Sequence, residues 1–340
     1  MTEQEIAFHL LHAALDGEAP HLGNNSLDAA RWWSLFRLLQ RNHVAALCFD
    51  AAAASGAPRD VIMPWLAERE KAVDWHRHQQ TVQTDITDRM ARHGIETLVL
   101  KGTHTARYYP QPETREFGDL DLYFYDRHAE ADNIARQELG IAMNDASHHH
   151  TKYNYRGVTV ESHYHFLNVN YPPDNRRYES LLTALAPSPT FEVLFLLRHM
   201  AGHFAASRIT LRDLTDWYLT CRTLREQVEW DRVQDTLQKY GMGAFASALS
   251  AVIERQLGYT MPLPPTDILD TDGRVEHDLV YGTDDDEHPY DGLSRLGWKM
   301  RRWRTTRWKR RMVYSASDPH LLVASLVSHI SNPRSILHKM

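Results

Sequence analysis

The chain has 340 residues, of which 43% are hydrophobic and 24% charged, and its formal net charge is −6 with histidines neutral. These values indicate a soluble globular protein with room for two domains, and they argue against a wholly basic nucleic-acid-coating protein. No apolar run approaches the roughly 20 residues that a membrane-spanning helix needs. Cys48 and Cys221 lie far apart and predict free thiols, and the acidic N-terminus does not resemble a signal peptide, so we expect a cytoplasmic protein.

The N-terminal residues have the pattern of amphipathic helices. Apolar residues recur at helical spacing from Ile6 onward, and a stretch rich in Gly, Pro and Asn over residues 17–25 predicts a loop. The next predicted helix carries Trp32 and Trp33, for which core packing is the interpretation and a ligand shelf the alternative. A longer helix is predicted over residues 72–92, where His93-Gly94 ends it.

A buried strand, a tight turn and a second strand follow. Residues 98–100 form a short apolar run, and Gly102 marks the place where the backbone must turn or approach a ligand closely. A short helix is predicted over residues 103–109 before two prolines interrupt it. The second strand carries Asp119 and Asp121, whose spacing of two places both carboxylates on one face of the strand. Such neighbouring carboxylates repel unless a cation lies between them, and their oxygens suit Mg²⁺.

A helix over residues 127–139 and a polar hairpin come next. The hairpin contains the run His148-His149-His150, which we interpret as solvated, with a metal site as the alternative. Adjacent strand residues point to opposite faces, so three consecutive histidines cannot all reach one metal ion. The return strand, over residues 158–166, places Glu161 and His163 on one face and apolar residues on the other.

The remainder of the chain predicts helices. Residues 174–258 have the pattern of an all-helical domain, and His199 and His203 lie at the i, i+4 spacing of one helix face. The Glu of the His-Glu-x-x-His zinc motif is absent, so a core helix is the preferred interpretation. Residues 259–292 predict a loop-like connection, and the basic, Trp-rich segment 298–311 predicts either a packed helix or a patch for a phosphate-bearing acceptor.

Lys101-Gly102-Thr103, Arg115 and the Gly-Asp-Leu-Asp-Leu strand at 118–122 together resemble the active-site signature of the nucleotidyltransferase superfamily with the DNA polymerase β-like fold. Within it, the pattern is similar to that of a bacterial nucleotidyltransferase family of uncharacterised substrate. The resemblance implies an α+β fold with a small mixed sheet, flanked by N-terminal helices and a C-terminal all-helical domain. It also implies metal-dependent transfer of a nucleoside monophosphate from an NTP to an acceptor, with release of pyrophosphate.

The resemblance also implies which residues would bind metal. Asp119 and Asp121 would bind two Mg²⁺ ions, for which Mn²⁺ is the alternative. Glu161 and His163 match an acidic-x-His pattern, so Glu161 would supply the third carboxylate and would help to deprotonate the acceptor hydroxyl. His163 would orient Glu161 or carry a proton. A glutamate stands where the superfamily more usually has a third aspartate.

The implied nucleotide-binding residues lie around the glycine turn. Gly102 and Thr103 would offer backbone N–H groups to the phosphates of the NTP, and Lys101 and Arg115 would neutralise the phosphate charge. Thr103 stands where the commoner superfamily pattern has serine, so a hydroxyl is retained.

Three domains are predicted: an N-terminal helical cap over 1–75, a nucleotidyltransferase core over 76–172 and a C-terminal helical domain over 173–340. The leading hypothesis is an enzyme that uses an NTP, and its acceptor could be a small molecule, a protein or RNA. One alternative is a catalytically degenerate nucleotide-binding or protein-interaction scaffold. Another is an RNA-binding module that uses segment 298–311, whose affinity would depend steeply on salt.

Overall fold

A computed structural model describes residues 1–17, 20, 27–143, 149–170, 172–263, 273–282 and 292–331. They form a mixed α+β protein in which helices predominate and the strands make one four-stranded sheet. Contacts divide the chain into two compact units, Met1–Pro187 with the residues from Ala324 onward, and Ser188–Val323. Within the described residues, no helix combines the length and the apolar character that crossing a membrane requires.

Four helices precede the sheet: α1 (Glu3–Asp16), α2 (Ala29–Arg41), α3 (Ala45–Ala54) and α4 (Arg59–Arg92). Thr2 begins α1 with a capping box, in which its side chain accepts from the N–H of Glu5, and the side chain of Glu5 accepts in return. Trp32 is only 2% exposed, in agreement with the core-packing interpretation. Helix α4 continues through Pro64 without a break, so it begins 13 residues before the start of the helix predicted over residues 72–92.

The sheet and the helices between its strands are β1 (Leu98–Val99), α5 (Thr103–Ala106), β2 (Asp119–Tyr123), α6 (His128–Leu139), β3 (His150–Tyr155) and β4 (Val158–His163). The strand order is β1-β2-β4-β3, with β1 and β3 antiparallel to their neighbours and β2 parallel to β4. Helix α5 has four residues and is shorter than the predicted helix over 103–109.

One face of the sheet packs against α4 and α6. The alternation of the strands sends Leu120 and Leu122 of β2, and Val158 and Val160 of β4, into the same core. Helices α4 and α6 contribute buried apolar residues to it, namely Val82, Ile86, Met90, Ala131, Ile134 and Ala135. The opposite face therefore carries Asp119 and Asp121 of β2 and Glu161 and His163 of β4, which are predicted site residues.

The first unit also contains α7 (Asn175–Leu185), and further helices follow it. Phe204, Trp217 and Phe245 are fully buried in the core of the second unit. The helices that follow α7 are α8 (Pro189–Ala206), α9 (Leu211–Thr223), α10 (Trp230–Lys239), α11 (Gly243–Leu257), α12 (Arg274–Tyr281), α13 (Gly292–Thr305), α14 (Arg307–Val313) and α15 (Asp318–Ser331). The second unit ends within α15, at Val323.

Helix α12 corrects the prediction of a loop-like connection over residues 259–292. Its Val275 and Leu279, at i and i+4, are buried, and this apolar face holds the short helix in place. Flanking glycines hid the helix in the sequence, since Gly273 and Gly282 stand directly before and after it. The acidic run at 284–287 lies outside the described residues.

Part of the basic segment 298–311 packs inside the second unit. Lys309 is completely buried, and its Nζ donates to Asp278 Oδ2 at 2.6 Å and to the carbonyl of Ser207 at 2.8 Å. The guanidinium of Arg310 lies 3.7 Å from the ring centroid of Trp303. At Lys309 and Arg310, the segment is therefore a packed helix, which is one of the two interpretations of its sequence.

Candidate active site

The candidate site is built on the parallel pair β2 and β4. Asp121 pairs directly with Glu161 in the register, and the pair Tyr123–His163 follows two residues further on. Since residues two apart on a strand share a face, Asp119 lies on the same face as Asp121, and His163 on that of Glu161. The sheet thus brings together carboxylates that are 40 residues apart along the chain.

Asp121 contacts two cationic groups, one with each carboxylate oxygen. Its Oδ2 lies 3.1 Å from the Nζ of Lys101, and its Oδ1 lies 3.1 Å from the Nε2 of His163. Asp121 is 2% exposed, so these contacts stabilise a carboxylate that is almost completely removed from water. Lys101 reaches Asp121 because the N–H of Leu100 donates to the carbonyl of Asp121, which extends the pairing of β1 with β2.

Glu161 is arranged in a similar way. Its Oε1 accepts from the Nζ of Lys152 at 3.0 Å. Its Oε2 lies 3.5 Å from His163 Nε2 and 3.6 Å from His150 Nδ1. Lys152 and His150 reach it from β3, where Lys152 pairs with Glu161 and His150 pairs with His163.

These contacts shift the pKa values of the site in both directions. Burial opposes protonation of His163, but its hydrogen bonds to Asp121 and Glu161 outweigh burial and raise the pKa of His163 to about 9. Burial alone would raise the pKa of Asp121, yet Lys101 and then His163 lower it below its ordinary value. The pKa of Glu161 is also lowered, because its hydrogen bond to His163 and the charge of His150 overcome burial. The site therefore pairs an imidazolium with two ionised carboxylates.

Asp119 differs from its neighbour. Its pKa is raised, first by burial and then by the negative charge of Asp121. Within the described chain, the ligand atoms of Asp121, Glu161 and His163 lie within 4.8 Å of one another and could hold a metal ion, and Asp119 is not a member of this group. Asp119 thus borders the group from the same face of β2.

Two histidines of the predicted hairpin lie beside this group. His149 and His150 are half-buried rather than solvated, and with His163 they form a second group whose ligand atoms lie within 4.8 Å of one another. Burial, and then the charge of neighbouring His150, lower the pKa of His149 to about 3, and burial lowers that of His150 to about 4. His149 precedes β3, so the alternation of strand residues does not separate it from His150. His148 lies outside the described residues.

The predicted phosphate-binding turn has a defined backbone geometry. Gly102 has a φ of +66°, and a Cβ added there would lie 3.2 Å from two ring carbons of Phe117. The hydroxyl of Thr103 donates to the side-chain carbonyl of Gln83 on α4. Because α5 has only four residues, its N-terminus has little of the dipole that longer helices offer to anions.

Arg115 is buried beside Phe117. It is 5% exposed, and its guanidinium carbon lies 5.6 Å from the ring centroid of Phe117. The same Phe117 ring lies against the place that a Cβ of Gly102 would occupy, so this aromatic side chain lies near both Arg115 and the turn. Of the residues predicted for the site, Lys101, Asp121, Glu161 and His163 are linked by direct contacts, and the contacts described for Thr103 and Arg115 are with Gln83 and Phe117.

The β3 residues Lys152 and His150 were not predicted as site residues, although the sequence contains a signal for them. Arg156 and Gly157 both have positive φ, which is typical of a two-residue type I′ hairpin turn. Counting outward from such a turn pairs Lys152 with Glu161 and His150 with His163, as the structure shows.

The family model of the uncharacterised nucleotidyltransferases matches residues 28–258, which is more than half of the chain and includes every residue of the candidate site. Comparison with curated proteins and with solved structures finds no match. The matched range contains the whole four-stranded sheet and the α8 and α9 helices of the second unit. The chain therefore belongs to this family of uncharacterised nucleotidyltransferases.

Proposed function

We propose that the protein transfers a nucleoside monophosphate from an NTP to an acceptor and releases pyrophosphate, in a reaction that depends on a divalent metal ion. The observation that supports it is the direct pairing of Asp121 with Glu161 on adjacent parallel strands, beside Lys101. Membership of the family of uncharacterised nucleotidyltransferases also supports nucleotidyl transfer, although it indicates neither the metal nor the acceptor. The acceptor is a small molecule, a protein side chain or an RNA end.

The donor set fits a divalent metal ion. Two carboxylates and an imidazole place their ligand atoms within 4.8 Å of one another on one face of the sheet. Asp121 and Glu161 would hold the ion, with Asp119 at its border, and Mg²⁺ or Mn²⁺ are the ions that the superfamily resemblance implies. When bound, the ion would neutralise phosphate charge and favour the ionised form of the attacking hydroxyl.

The chain's own residues would position the two substrates. Lys101 directly precedes the Gly102 turn and, beside its contact with Asp121, would bind a phosphate oxygen of the NTP. Gly102 and Thr103 would offer backbone N–H groups to the phosphates of the NTP. Glu161 stays ionised at neutral pH and would accept a hydrogen bond from the acceptor hydroxyl, orienting its oxygen toward the α-phosphate.

A specific observation favours the scaffold as the second candidate. Lys101, Lys152 and His163 already neutralise Asp121 and Glu161, so the cluster is electrostatically satisfied by the protein alone. A protein that had lost catalysis could keep such a cluster to stabilise its sheet. It would bind a nucleotide or a partner without releasing pyrophosphate.

The test is incubation of the full chain with each α-labelled NTP, Mg²⁺ or Mn²⁺, and separate metabolite, protein and RNA fractions. We expect label in one fraction together with pyrophosphate, and a loss of at least about 100-fold in Asp121→Asn, because charge stabilisation is the main contribution to such catalysis. Asp88→Asn, a change of the same type at an exposed position on α4, should keep wild-type activity. Nucleotide binding without labelled product or pyrophosphate would favour the scaffold instead.

A further inference from the structure

Helix α4 supplies two hydrogen-bond donors to the segment that leads into β2. Trp75 Nε1 donates to the carbonyl of Phe117 at 3.3 Å, and Gln79 Nε2 donates to the carbonyl of Gly118 at 3.1 Å. The two donors are four residues apart and so lie on one face of the helix, and the two carbonyls belong to consecutive residues. Since Gly118 directly precedes Asp119, α4 holds the backbone immediately before the first carboxylate of the candidate site.

The first strand of the sheet does not reach this segment. In the described chain, the pairing of β1 with β2 ends at Asp121: β1 pairs with Leu122 and Tyr123, and the N–H of Leu100 donates to the carbonyl of Asp121. Asp119 pairs with β4 on the other side of β2. The start of β2 is therefore held by β4 on one side and by the donors of α4 just before it.

The same face of α4 also contacts the turn between β1 and α5. Gln83, four residues after Gln79, accepts a hydrogen bond from the hydroxyl of Thr103 with its side-chain carbonyl. The ring of Phe117 lies 3.2 Å from the place that a Cβ of Gly102 would occupy. Gln79 is thus the middle member of a row of α4 side chains that holds the turn and the start of β2 in one arrangement.

The burial of Gln79 does not favour a role in stability alone. Gln79 is 0% exposed, and its Oε1 has no hydrogen-bond partner among the described residues. A buried acceptor without a partner typically costs more free energy than one neutral hydrogen bond returns. An apolar side chain of similar length, such as methionine, would fill the same place without that acceptor. The amide is therefore explained by the group that it holds, which is the carbonyl of Gly118.

We propose that Gln79 is a positioning residue of the candidate site, which acts through Gly118 on the placement of the Asp119 and Asp121 carboxylates. The inference rests on the proposed function, because it assigns a residue to that same site. Catalysis by charge stabilisation requires groups that are already in place before the reaction. A displacement of about 1 Å can lower a rate by about 100-fold, so a hydrogen bond to the residue before Asp119 has a direct effect on transfer.

The test compares the full-length protein with Gln79→Met, which keeps the length of the side chain and removes the amide. We expect kcat for label transfer to fall at least about tenfold and the KM for the NTP to change less than about threefold, since residues that support the reacting groups have effects of 10–100-fold. The midpoint of urea unfolding should not fall, because the unpaired acceptor is gone and the carbonyl of Gly118, an exposed residue, can bind water. A purely structural role predicts the reverse, a lower midpoint with an unchanged kcat.

Amide hydrogen exchange tests the same contact without metal or nucleotide. Peptides that contain residues 116–119 should lose protection in Gln79→Met, whereas peptides from the other unit should exchange as in the wild type. Gln80→Met, the same change at the exposed neighbouring position on α4, is the matched control and should keep the wild-type exchange, midpoint and transfer. Gln79→Leu removes the same donor with a smaller side chain and replaces Gln79→Met if methionine disturbs folding.

The inference is overturned if kcat in Gln79→Met equals that of the wild type, if exchange over residues 116–119 is unchanged, or if both Gln79 variants unfold at a lower midpoint. These outcomes are distinct from failure of the proposed function, in which the wild type itself transfers no label. In that case, faster exchange over residues 116–119 without a lower midpoint would retain Gln79 as the residue that positions the carboxylates, and any other result would remove it.

Discussion

At the scale of single residues, His163 determines the charge state of the candidate site. It is 5% exposed, and it contacts both Asp121 and Glu161 through the same Nε2. An imidazolium in this position holds together two carboxylates that would otherwise repel each other across the parallel strand pair. Without a metal, the stability of the sheet should therefore depend on the proton of His163.

This dependence gives a prediction for stability against pH. The pKa of His163 in the folded protein is raised to about 9, above the ordinary value of 6.5, so the folded state binds the proton more tightly. The stabilisation is complete below about pH 6.5 and is lost as the pH rises through about 9. In urea unfolding with a chelator present, the free energy by which wild type exceeds His163→Gln should be larger at about pH 6 than at about pH 10.

An exposed histidine is the control for that measurement. His9→Gln on α1 should change the free energy of unfolding by less than about 0.5 kcal/mol at either pH, as surface substitutions usually do. An advantage of wild type over His163→Gln that grows as the pH is raised would contradict the assignment of His163 as the cation of the cluster.

At the scale of elements, the backbone and a neighbouring ring constrain the turn between β1 and α5. Gly102 has a φ of +66°, which a residue with a side chain adopts only with strain, and the Phe117 ring crowds the place of a Cβ. We expect Gly102→Ala to destabilise the protein by about 1–2 kcal/mol or more in urea unfolding, because backbone strain and the ring contact add. Gly118→Ala is the matched control, since Gly118 lacks both the positive φ and any heavy atom within 4 Å of its Cβ position. Equal effects of the two changes would show that the turn is not constrained.

The elements also show how far the sequence predicts the site. Alternation along a strand is a local property, so the sequence alone places Asp119 with Asp121, and Glu161 with His163. The contacts of His150 and Lys152 depend on the register of a hairpin, which the Arg156-Gly157 turn sets and which strand periodicity does not reveal.

Helix boundaries are predicted less well, for a different reason. Proline and glycine predict breaks, yet α4 continues through Pro64, and α12 forms between two glycines. In both helices the buried apolar residues offset a poor local propensity, and such tertiary packing is not visible within a short window of sequence.

At the scale of the whole molecule, the candidate site and the basic segment belong to different units. All contacts of Asp121 and Glu161 described above come from residues of the Met1–Pro187 unit. The basic segment lies in the Ser188–Val323 unit, where Lys309 and Arg310 are engaged internally. The RNA-binding hypothesis therefore depends on the exposed arginines of the segment, among them Arg301, Arg304 and Arg311. The net charge of the whole chain, −6, does not favour binding to RNA.

The buried pair Lys309–Asp278 should therefore be important for stability and not for the site. Lys309→Met keeps the length of the side chain but leaves Asp278 buried without its cation, so we expect a loss of about 3–5 kcal/mol in urea unfolding followed by tryptophan fluorescence. Adding Asp278→Asn to Lys309→Met should recover part of that loss, because the uncompensated charge is gone. The control is Arg311→Met at an exposed position, which should lower the free energy of unfolding by less than about 0.5 kcal/mol. Under native conditions each variant should keep the wild-type transfer of label from an NTP, because the candidate site residues all belong to the other unit. A Lys309→Met protein that is as stable as the wild type would instead indicate that the buried ion pair contributes no net stability.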